Sequence, residues 1–337
     1  MKITKVEQFI TAVPHILAIE KNRPGDYLER PIPIIKVHTD EGIYGLGEGA
    51  RGQRFDDAIE GWIGVDVMEL KWQNLGGAFG SAVFDIVGKA FGVPAHKLMG
   101  AQHWEKVPVG YWSCPMEPEE FAAEAAVGAK LGFKTHKLKA RPWNIVKTVR
   151  LMTEAAGEDY GIIVDPNFSF ETPEQSIRLA HELEKYNIEA FEDPFSYHEY
   201  GWDSYRDFRS KTRIPLAPHI ADPKMIIDAI KADAADMFNT AGSPMSAQQN
   251  AGIAEAAGLP VWLQVVGLGL GVSGAFGTHV HAVIKNATIP SDSLHFVREN
   301  DLIYGALTPK DGFVEVPTTP GLGIELDIEA VEKYRIA

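Results

Sequence analysis

The sequence has a single cysteine, Cys114, and fewer basic than acidic side chains. One cysteine can form neither an intrachain disulfide nor a cysteine metal cluster, which is typical of a protein in a reducing compartment. Because 46 acidic residues stand against 32 basic ones and give a net charge of −14, the overall field repels nucleic-acid backbones and anionic lipid surfaces. We therefore expect neither kind of partner.

Long apolar runs are also missing. The N-terminal stretch MKITKVEQFITAVPH has an apolar segment too short for a signal peptide and is interrupted by Pro14, and no run reaches the length that spans a bilayer. These features predict a cytoplasmic protein without a membrane segment. At 337 residues, the chain is long enough for one large domain, or for one with a smaller companion.

What the sequence does contain is a regular series of strand-like segments, each followed by a helical stretch. The first five segments end near Trp112, Lys139, Asp165, Glu192 and His219, so successive ends are 26 or 27 residues apart. That spacing is typical of the βα unit of a parallel sheet. The segments ADMFNTAG, LPVWLQVVG and SLHFV extend the series to eight. Eight units favour a closed (β/α) barrel with its chemistry at the carboxyl ends of the strands.

The first hundred residues follow another pattern. The segments ITKVEQFITAV and PIPIIKVHTDEGIYGLGE have the character of antiparallel strands with a glycine turn at 40–42, and the stretch after them is mostly helical in character. We therefore predict an α+β domain over residues 1–104 that precedes the barrel.

Lys137 and Lys139 lie two residues apart on the second predicted barrel strand, so both side chains point to one face and His136 points to the other. If that face is the barrel mouth, two crowded ammonium groups beside a bound cation lose affinity for their protons, and a lysine can then act as a base near pH 7. The alternative is a solvated pair at a sheet edge. Their place in the strand series favours the functional interpretation.

Asp165, Glu192 and His219 end three successive predicted strands, and neighbouring strands of a barrel would bring them within reach of one ion. Carboxylate oxygens suit Mg²⁺, whereas an imidazole favours Mn²⁺ or another borderline divalent ion. Asp222 is the alternative third ligand. Taken singly, each residue is better explained as a cap of the following helix, but three at equal intervals favour a metal site.

A glycine-rich segment, Gly269 to Gly274, matches the dinucleotide-binding fingerprint. No later strand ends in an acid at the required offset, and Asp292 lies in the turn-rich stretch IPSD. We therefore favour a tight strand-to-helix turn whose amides could hold a substrate carboxylate. His279 and His281, on the helix that follows, are expected to be core or surface residues rather than ligands.

Together these segments resemble the enolase superfamily, on its mandelate racemase and muconate lactonizing enzyme side. TDEGIYGLGE is similar to the N-terminal sheet signature of that family, and FDIVGKAFGVPAHKLMG to its helix before the barrel. GFKTHKLK, VDPN and FEDP are similar to its lysine pair and first two metal ligands. The resemblance implies an α/β fold: a modified (β/α)7β TIM barrel over residues 105–309 and an N-terminal α+β capping domain, which the tail over residues 310–337 completes.

The resemblance also implies a chemistry. Mg²⁺ would bind the substrate's carboxylate, Lys139 would remove the proton on the adjacent carbon, and Lys137 would assist. A lysine base combined with Mg²⁺ is one of this superfamily's known arrangements.

Three positions depart from the family pattern. His219 stands where the third ligand is normally Asp or Glu, and Ala241 stands where lysine-base members carry a further lysine. Gln264 and Val265 stand where histidine-base members carry a histidine. Only the Lys139 face of the substrate would therefore have a base, which favours a one-base reaction.

We therefore expect a lyase that dehydrates a hydroxy acid or acid sugar. The alternatives are a cycloisomerase, a racemase or epimerase of a carboxylate, and a catalytically degenerate protein that binds metal and carboxylate. The segment from His15 to Arg30 is a candidate lid that selects the substrate. Members of the family usually form oligomers, so a homo-oligomer is expected. The candidate substrate-binding residues are Asn167, Gln264, Arg141 and Trp112.

Overall fold

The structure, a computed structural model, combines a small antiparallel sheet with a barrel of strands and helices. It describes residues 1–71, 74–264, 269–293, 297–305 and 307–337. Over these ranges, no helix has the length and apolar character needed to cross a membrane.

The N-terminal part is a three-stranded antiparallel sheet covered by one long helix. Strands β1 (Ile3–Thr11), β2 (Ile32–Thr39) and β3 (Tyr44–Glu48) pair in that order. A Cβ on Gly47 would lie 2.0 Å from the carbonyl oxygen of Ala78, so glycine is needed where β3 meets the long helix. The helices of this part are α1 (Leu17–Glu20), α2 (Asp26–Glu29), α3 (Asp56–Ile59) and α4 (Gly77–Phe91).

Eight strands and seven connecting helices follow in strict alternation in the described part of the chain. The strands are β4 (Lys106–Ser113), β5 (Thr135–Lys139), β6 (Gly161–Asp165), β7 (Ile188–Glu192), β8 (Leu216–Ala217), β9 (Phe238–Thr240), β10 (Val261–Leu263) and β11 (Ser291–Asp292). The helices are α5 (Pro118–Lys130), α6 (Ile145–Ala156), α7 (Pro173–Leu183), α8 (Tyr197–Lys211), α9 (Pro223–Lys231), α10 (Pro244–Ala256) and α11 (Gly271–Ala282). The predicted (β/α)7β order is confirmed.

Local signals explain where the barrel helices begin. Helix α5 has a proline in its first turn and a capping box between Glu117 and Glu120. At the start of α7, the hydroxyl of Thr172 accepts a hydrogen bond from the N–H of Gln175 at 3.2 Å. These caps satisfy amides that the first helical turn leaves without partners.

The strands curl until the last one meets the first. Strands β4 to β8 pair in parallel in chain order, and β11 pairs with β4. A parallel bridge between His219 and Asn239 joins the end of β8 to β9, which pairs with β10. The carboxyl ends of all eight strands therefore lie at one rim.

The position of the eighth strand differs from the prediction. The sequence pattern placed it in SLHFV, beginning at Ser293, whereas the structure has it at Ser291–Asp292. Residues 294–296 of the predicted run lie outside the described residues. A strand of two residues is too short to produce an alternating pattern, which explains the shift.

The C-terminal tail contacts both parts of the molecule. The N–H of Ile10 in β1 donates to the carbonyl of Ala337 at 2.9 Å, and the N–H of Ile336 donates to the carbonyl of Ile10 at 2.8 Å. Strand β13 pairs with β4. The boundaries of the two domains stay a prediction. The tail's elements are β12 (Ile303–Tyr304), β13 (Phe313–Glu315), β14 (Glu325–Leu326) and α12 (Ile328–Tyr334).

The barrel lumen changes from apolar to polar along the strands. Its floor is a buried apolar cluster of Ile163, Ala190, Ala217, Met237 and Trp262. Because side chains alternate along a strand, the next inward residues on β6, β7 and β8 are two positions later. Those positions hold Asp165, Glu192 and His219, so the strand period directs the predicted ligands to the mouth.

Candidate active site at the barrel mouth

The two lysines of β5 lie at the carboxyl end of the barrel, at different depths. In the parallel register, Lys137 is opposite Ile163 and Lys139 is opposite Asp165. The side chain of Lys137 is 2% exposed and that of Lys139 is 17% exposed. His136 points to the other face, where its Nε2 is 2.7 Å from the hydroxyl of Ser113.

Three buried carboxylates surround Lys137. Its Nζ lies 2.6 Å from Oε2 of Glu192, 3.0 Å from Oδ2 of Asp292 and 3.3 Å from Oδ2 of Asp165. The ammonium of Lys139 also contacts Asp165. Three carboxylates thus face two ammonium groups among the described residues, and the cluster carries a net negative charge.

Burial and mutual charge shift the pKa values of this cluster. Burial by itself would lower the pKa of Lys137, but Asp292, Glu192 and Asp165 outweigh it and raise that pKa well above its ordinary value. Burial together with the charge of Asp165 raises the pKa of Glu192 to about 7. The carboxylates around Lys137 outnumber the lysines and set the direction of this shift; that a bound cation beside the lysine pair lowers a lysine pKa stays a prediction.

His219 lies at the rim just after β8, beside the carboxylates. Its Nδ1 is 3.8 Å from Oε1 of Glu192, and its side chain is 28% exposed. Burial, reinforced by the charge of Lys137, lowers the pKa of His219 to about 4, so the imidazole is neutral at pH 7. Asp222, the alternative ligand, is exposed and caps α9 by accepting the N–H of Lys224 at 2.8 Å. The structure therefore brings His219, rather than Asp222, to the cluster.

The donor set has the chemistry of a divalent-cation site. Asp165 and Glu192 supply carboxylate oxygens and His219 supplies a ring nitrogen, within a cluster whose net charge is negative. Over the described residues, no three His, Cys, Asp or Glu side chains are arranged as a metal site; the ammonium of Lys137 is the cation that the carboxylates share here. The residues fit a divalent cation in composition and charge, and ligation by them stays a prediction.

Two further residues hold the predicted ligands in place. The side-chain amide of Asn239 in β9 donates from Nδ2 to Oε1 of Glu192 at 2.8 Å, in a fully buried position. The carboxylate of Asp193 accepts the backbone N–H of His219 at 3.0 Å. Sequence reasoning singled out neither residue. The sequence feature that could have identified them is their position on or immediately after a predicted barrel strand.

A cavity of about 320 Å³ opens at this rim. Three predicted substrate-binding residues, Trp112, Asn167 and Gln264, line it together with Lys139. Asn167 adopts a positive φ of 47°, and its backbone N–H donates to Oδ1 of Asp165 at 3.0 Å. The strained turn after β6 thus connects the cavity wall to a predicted metal ligand.

One predicted substrate-binding residue, Arg141, is absent from the described residues that line this cavity. Its Nη1 donates to the carbonyl of Ala140 at 2.6 Å. This hydrogen bond holds the guanidinium at the backbone just after β5. Val265, in the stretch considered for a histidine base, lies outside the described residues.

A family described as enolase C-terminal domain-like matches residues 120–331, which is most of the chain. The chain belongs to the enolase superfamily. This family match confirms the side of the superfamily that the sequence resembles, and the similarity to a solved structure of a mandelate racemase/muconate lactonizing family protein from Azoarcus sp. EbN1, with a TM-score of 0.82 and 24% identity over 100% of this chain and 98% of the other, confirms the fold.

Relatives within the enolase superfamily catalyse different classes of reaction. An N-succinyl-L-Arg/Lys racemase of Bacillus cereus is 27% identical over 93% of this chain and 92% of its own; the crystal structure of that racemase has a TM-score of 0.81, with 26% identity over 100% of this chain and 99% of the other. A D-xylonate dehydratase of Haloferax volcanii is 25% identical over 91% and 86%. A 3,6-anhydro-D-galactonate cycloisomerase from Zobellia galactanivorans shares the fold, with a TM-score of 0.79 and 22% identity over the whole of both chains. These similarities support an enzyme and leave its reaction class open.

Asp292 is a third residue of this enolase-superfamily site that sequence reasoning missed. The stretch IPSD has the composition of a turn, but Asp292 ends the eighth strand, which is separated from β5 by β4, and contacts Lys137. The sequence feature that could have identified Asp292 is its position at the end of a barrel strand. It was missed because the predicted strand began at Ser293, two residues later than the observed strand.

The glycine-rich segment binds a carboxylate of the protein itself. The N–H groups of Leu270 and Ser273 donate to Glu48 at 2.6 and 2.9 Å. A Cβ on Gly269 would lie 2.0 Å from Oε1 of Glu48, so the motif needs glycine for this close approach. The expectation that these amides hold a substrate carboxylate is wrong, because Glu48 at the end of β3 occupies them. His279 and His281 are buried core residues.

Proposed function

We propose that this enzyme removes the proton α to a carboxylate in a metal-dependent reaction, and that it dehydrates a hydroxy acid of the acid-sugar class. The observation that carries this proposal is that Lys139 lines the cavity while it contacts Asp165, a member of the buried carboxylate cluster around Lys137. A similar protein that is an acid-sugar dehydratase supports it.

Lys139 is the proposed base. Among the described residues that line the cavity, Lys139 and Asp292 carry an amine and a carboxyl group, side-chain types that serve as general acids and bases. Asp292 is hydrogen-bonded to the buried Lys137, whereas Lys139 is partly exposed to the cavity. In its neutral form, Lys139 accepts the α-proton on Nζ and then returns a proton to the departing β-hydroxyl.

Lys137 is a fixed positive charge beside the base. Its buried ammonium compensates the negative charge that develops on the substrate's carboxylate as the proton leaves, and a preorganised charge of this kind is often the largest contribution to catalysis. A divalent cation held by Asp165, Glu192 and His219 would supply Lewis-acid stabilisation of the same charge. Asn167 orients the substrate from the cavity wall.

The proposed dehydration balances without a further reactant. The Cα–H bond breaks as Lys139 takes the proton, and its electron pair is delocalised into the carboxylate as an enediolate. That pair then forms the Cα=Cβ double bond as the Cβ–O bond breaks, and the hydroxyl group leaves as water with the proton from Lys139. The resulting enol tautomerises to a 2-keto-3-deoxy acid, so the substrate and the keto acid differ by one water.

Racemisation is the second candidate, and the similarity to an N-succinyl-L-Arg/Lys racemase over nearly the whole chain favours it. A racemase needs a proton donor on the face opposite the base. Among the described residues of the cavity, Gln264 and the arginines carry no proton that they can lose near pH 7, and the carboxylate of Asp292 is already hydrogen-bonded to Lys137. Dehydration needs a single base, and we favour it for that reason.

The test is exchange of the α-proton in D₂O with Mg²⁺ and a panel of acid sugars, followed by NMR. The wild-type enzyme is expected to release a 2-keto-3-deoxy acid from at least one of them. Lys139→Ala should slow exchange by about 100-fold or more, the usual size of a general-base contribution. Lys147→Ala removes an exposed lysine paired with Glu119 and serves as the matched control.

The outcomes separate the candidates. Exchange by Lys139→Ala at the wild-type rate would eliminate Lys139 as the base. Deuterated product with inverted configuration and no keto acid would indicate a racemase or epimerase. Binding of carboxylates with no exchange across the panel would indicate a degenerate binding protein. Loss of exchange with EDTA and its recovery with Mg²⁺ would support the metal requirement.

A further inference from the structure

Three arginines line the same cavity as Lys139. Arg23 and Arg51 come from the N-terminal part of the chain, and Arg298 lies shortly after β11. Among the described lining residues, Asp292 is the one acid, and its carboxylate is hydrogen-bonded to Lys137 at 3.0 Å. The three guanidinium groups therefore give the cavity wall positive charge, while the one carboxylate among its described residues is bound to Lys137.

The carboxylate of Asp26 is shared by several arginines, including two of the cavity wall. Oδ2 of Asp26 is 3.1 Å from Nη1 of Arg51 and 4.0 Å from Nη1 of Arg23, and Oδ1 of Asp26 is 3.7 Å from Nε of Arg30. One carboxylate thus serves three guanidinium groups. Each arginine can donate up to five hydrogen bonds, so donors remain for a ligand in the cavity.

Among the described residues, the side chain of Arg298 hydrogen-bonds a neutral backbone carbonyl. Its side chain is buried, and Nη1 donates to the carbonyl of Val13 at 3.1 Å. One neighbouring acid, Glu48, already accepts the N–H groups at the start of α11. Burial lowers the pKa of Arg298, and Arg51 adds to this, whereas Glu48, Asp26 and Asp301 oppose it. A buried cation near other cations is costly unless an anion joins it.

We propose that Arg23, Arg51 and Arg298 bind a second anionic group of the substrate, a carboxylate or a phosphate, at the end remote from the reacting carboxylate. The substrate is then a dianionic acid. This inference rests on the proposed function, which assigns the reacting carboxylate to the Lys139 side of the cavity.

Geometry supports this recognition. Guanidinium groups bind carboxylate and phosphate in a planar, two-pronged manner. The guanidinium of Arg23 lies 5.9 Å from the ring centre of Trp112, which also lines the cavity, and such a contact orients the group. A volume of about 320 Å³ is at the small end of ligand sites and suits a short-chain acid.

The experiment compares acids that differ at one carbon. D-Glucarate is paired with D-gluconate, and galactarate with D-galactonate, so that only the charge at C6 changes; 6-phosphogluconate supplies a phosphate at the same carbon. Dissociation constants by titration calorimetry and α-proton exchange rates are measured for the Mg²⁺-loaded enzyme. The variants are Arg51→Gln, Arg23→Gln and, as a control, Arg30→Gln. Arg30 shares Asp26 but is not among the residues that line the cavity.

We expect at least one dianion to bind about tenfold to a hundredfold more tightly than its matched monoanion, the range for one or two charge-assisted hydrogen bonds. Arg51→Gln and Arg23→Gln should reduce that ratio by about tenfold or more, and Arg30→Gln should leave it unchanged. The tighter of glucarate and 6-phosphogluconate identifies the group, and either result supports the inference.

Three results would overturn it: a dianion-to-monoanion ratio near one for every pair, equal weakening of both acids by Arg51→Gln, or the same loss in Arg30→Gln as in Arg51→Gln. The last two would show that the arginines act on the fold of the capping segment or on the general field. If no acid exchanges its α-proton, the proposed function fails, while the binding ratios still decide this inference.

Discussion

Replacement of Lys137 tests whether the buried carboxylates depend on its charge. In Lys137→Met the apolar stem is nearly conserved and the ammonium is lost, so Asp165, Glu192 and Asp292 lose the cation that contacts all three. Removal of one partner from a buried ion pair costs about 3–5 kcal/mol. We expect the free energy of unfolding to fall by about that amount at pH 8 in the absence of divalent metal.

Asp292→Asn is the matched change on the other side of the contact. It weakens one charge-assisted hydrogen bond, worth about 1.5–3 kcal/mol. Lys137 retains its ion pairs with Glu192 and Asp165. The two lysines then face two carboxylates instead of three, which reduces the repulsion between carboxylates. Because relief of repulsion offsets part of the loss, the expected cost is about 1–2 kcal/mol. The double variant has the same net charge in the cluster as the wild type, so the two losses should not add.

Guanidinium denaturation at pH 8 with EDTA measures these differences from the midpoint and slope of each transition. The expected coupling in the double-variant cycle is about 1.5–3 kcal/mol. A Lys137→Met protein as stable as the wild type, or losses that simply add, would refute the account of Lys137 as the shared cation.

Two further predictions concern the interior and the contact between β3 and α11. Gly269→Ala should lower the free energy of unfolding by about 1–3 kcal/mol, because the new Cβ would lie 2.0 Å from Glu48 and displace two hydrogen bonds. The control is Gly252→Ala, whose new Cβ has no neighbour within 4 Å and which should be neutral or slightly stabilising in the same denaturation assay. Equal effects of the two substitutions would contradict the argument. Burial lowers the pKa of His279 to about 3, so below about pH 6.5 the unfolded chain binds a proton at this residue and the folded chain does not. The contribution of His279 to the free energy of unfolding is therefore complete above about pH 6.5 and decreases as the pH falls towards 3. Between pH 7 and pH 5 the expected decrease is about 2 kcal/mol. His279→Gln should reduce that fall, and an unchanged pH dependence would count against it.

The strand series made most of the barrel and part of the site predictable. The position of a residue at a strand end can be predicted from local sequence alone. The alternation of side chains determines the face on which it lies, and the parallel arrangement of the strands places it beside the end of the previous strand. That is why Lys139 and Asp165 lie opposite each other in register. The same argument placed Glu192 and His219 at the rim, and the structure has them 3.8 Å apart.

The rest of the site depends on contacts between distant segments, for which the sequence has no local pattern. Asp292 contacts a lysine 155 residues earlier in the chain, from a strand too short to show alternation. Glu48 reaches amides more than 200 residues later. The arginines of the cavity wall come from three separate segments, and only the packing of one part of the molecule on the other brings them together.

Depth in the barrel separates the two lysines that the sequence presents as a pair. Two residues along β5 correspond to about 6–7 Å, enough to put Lys137 against three carboxylates and 5.9 Å from the ring centre of Trp262, and Lys139 at the cavity. A group held on three sides by opposite charge keeps its proton, so Lys137 suits a permanent charge. Lys139 contacts one of those carboxylates and is exposed to the cavity, and it is therefore the lysine better placed to exchange a proton with a substrate.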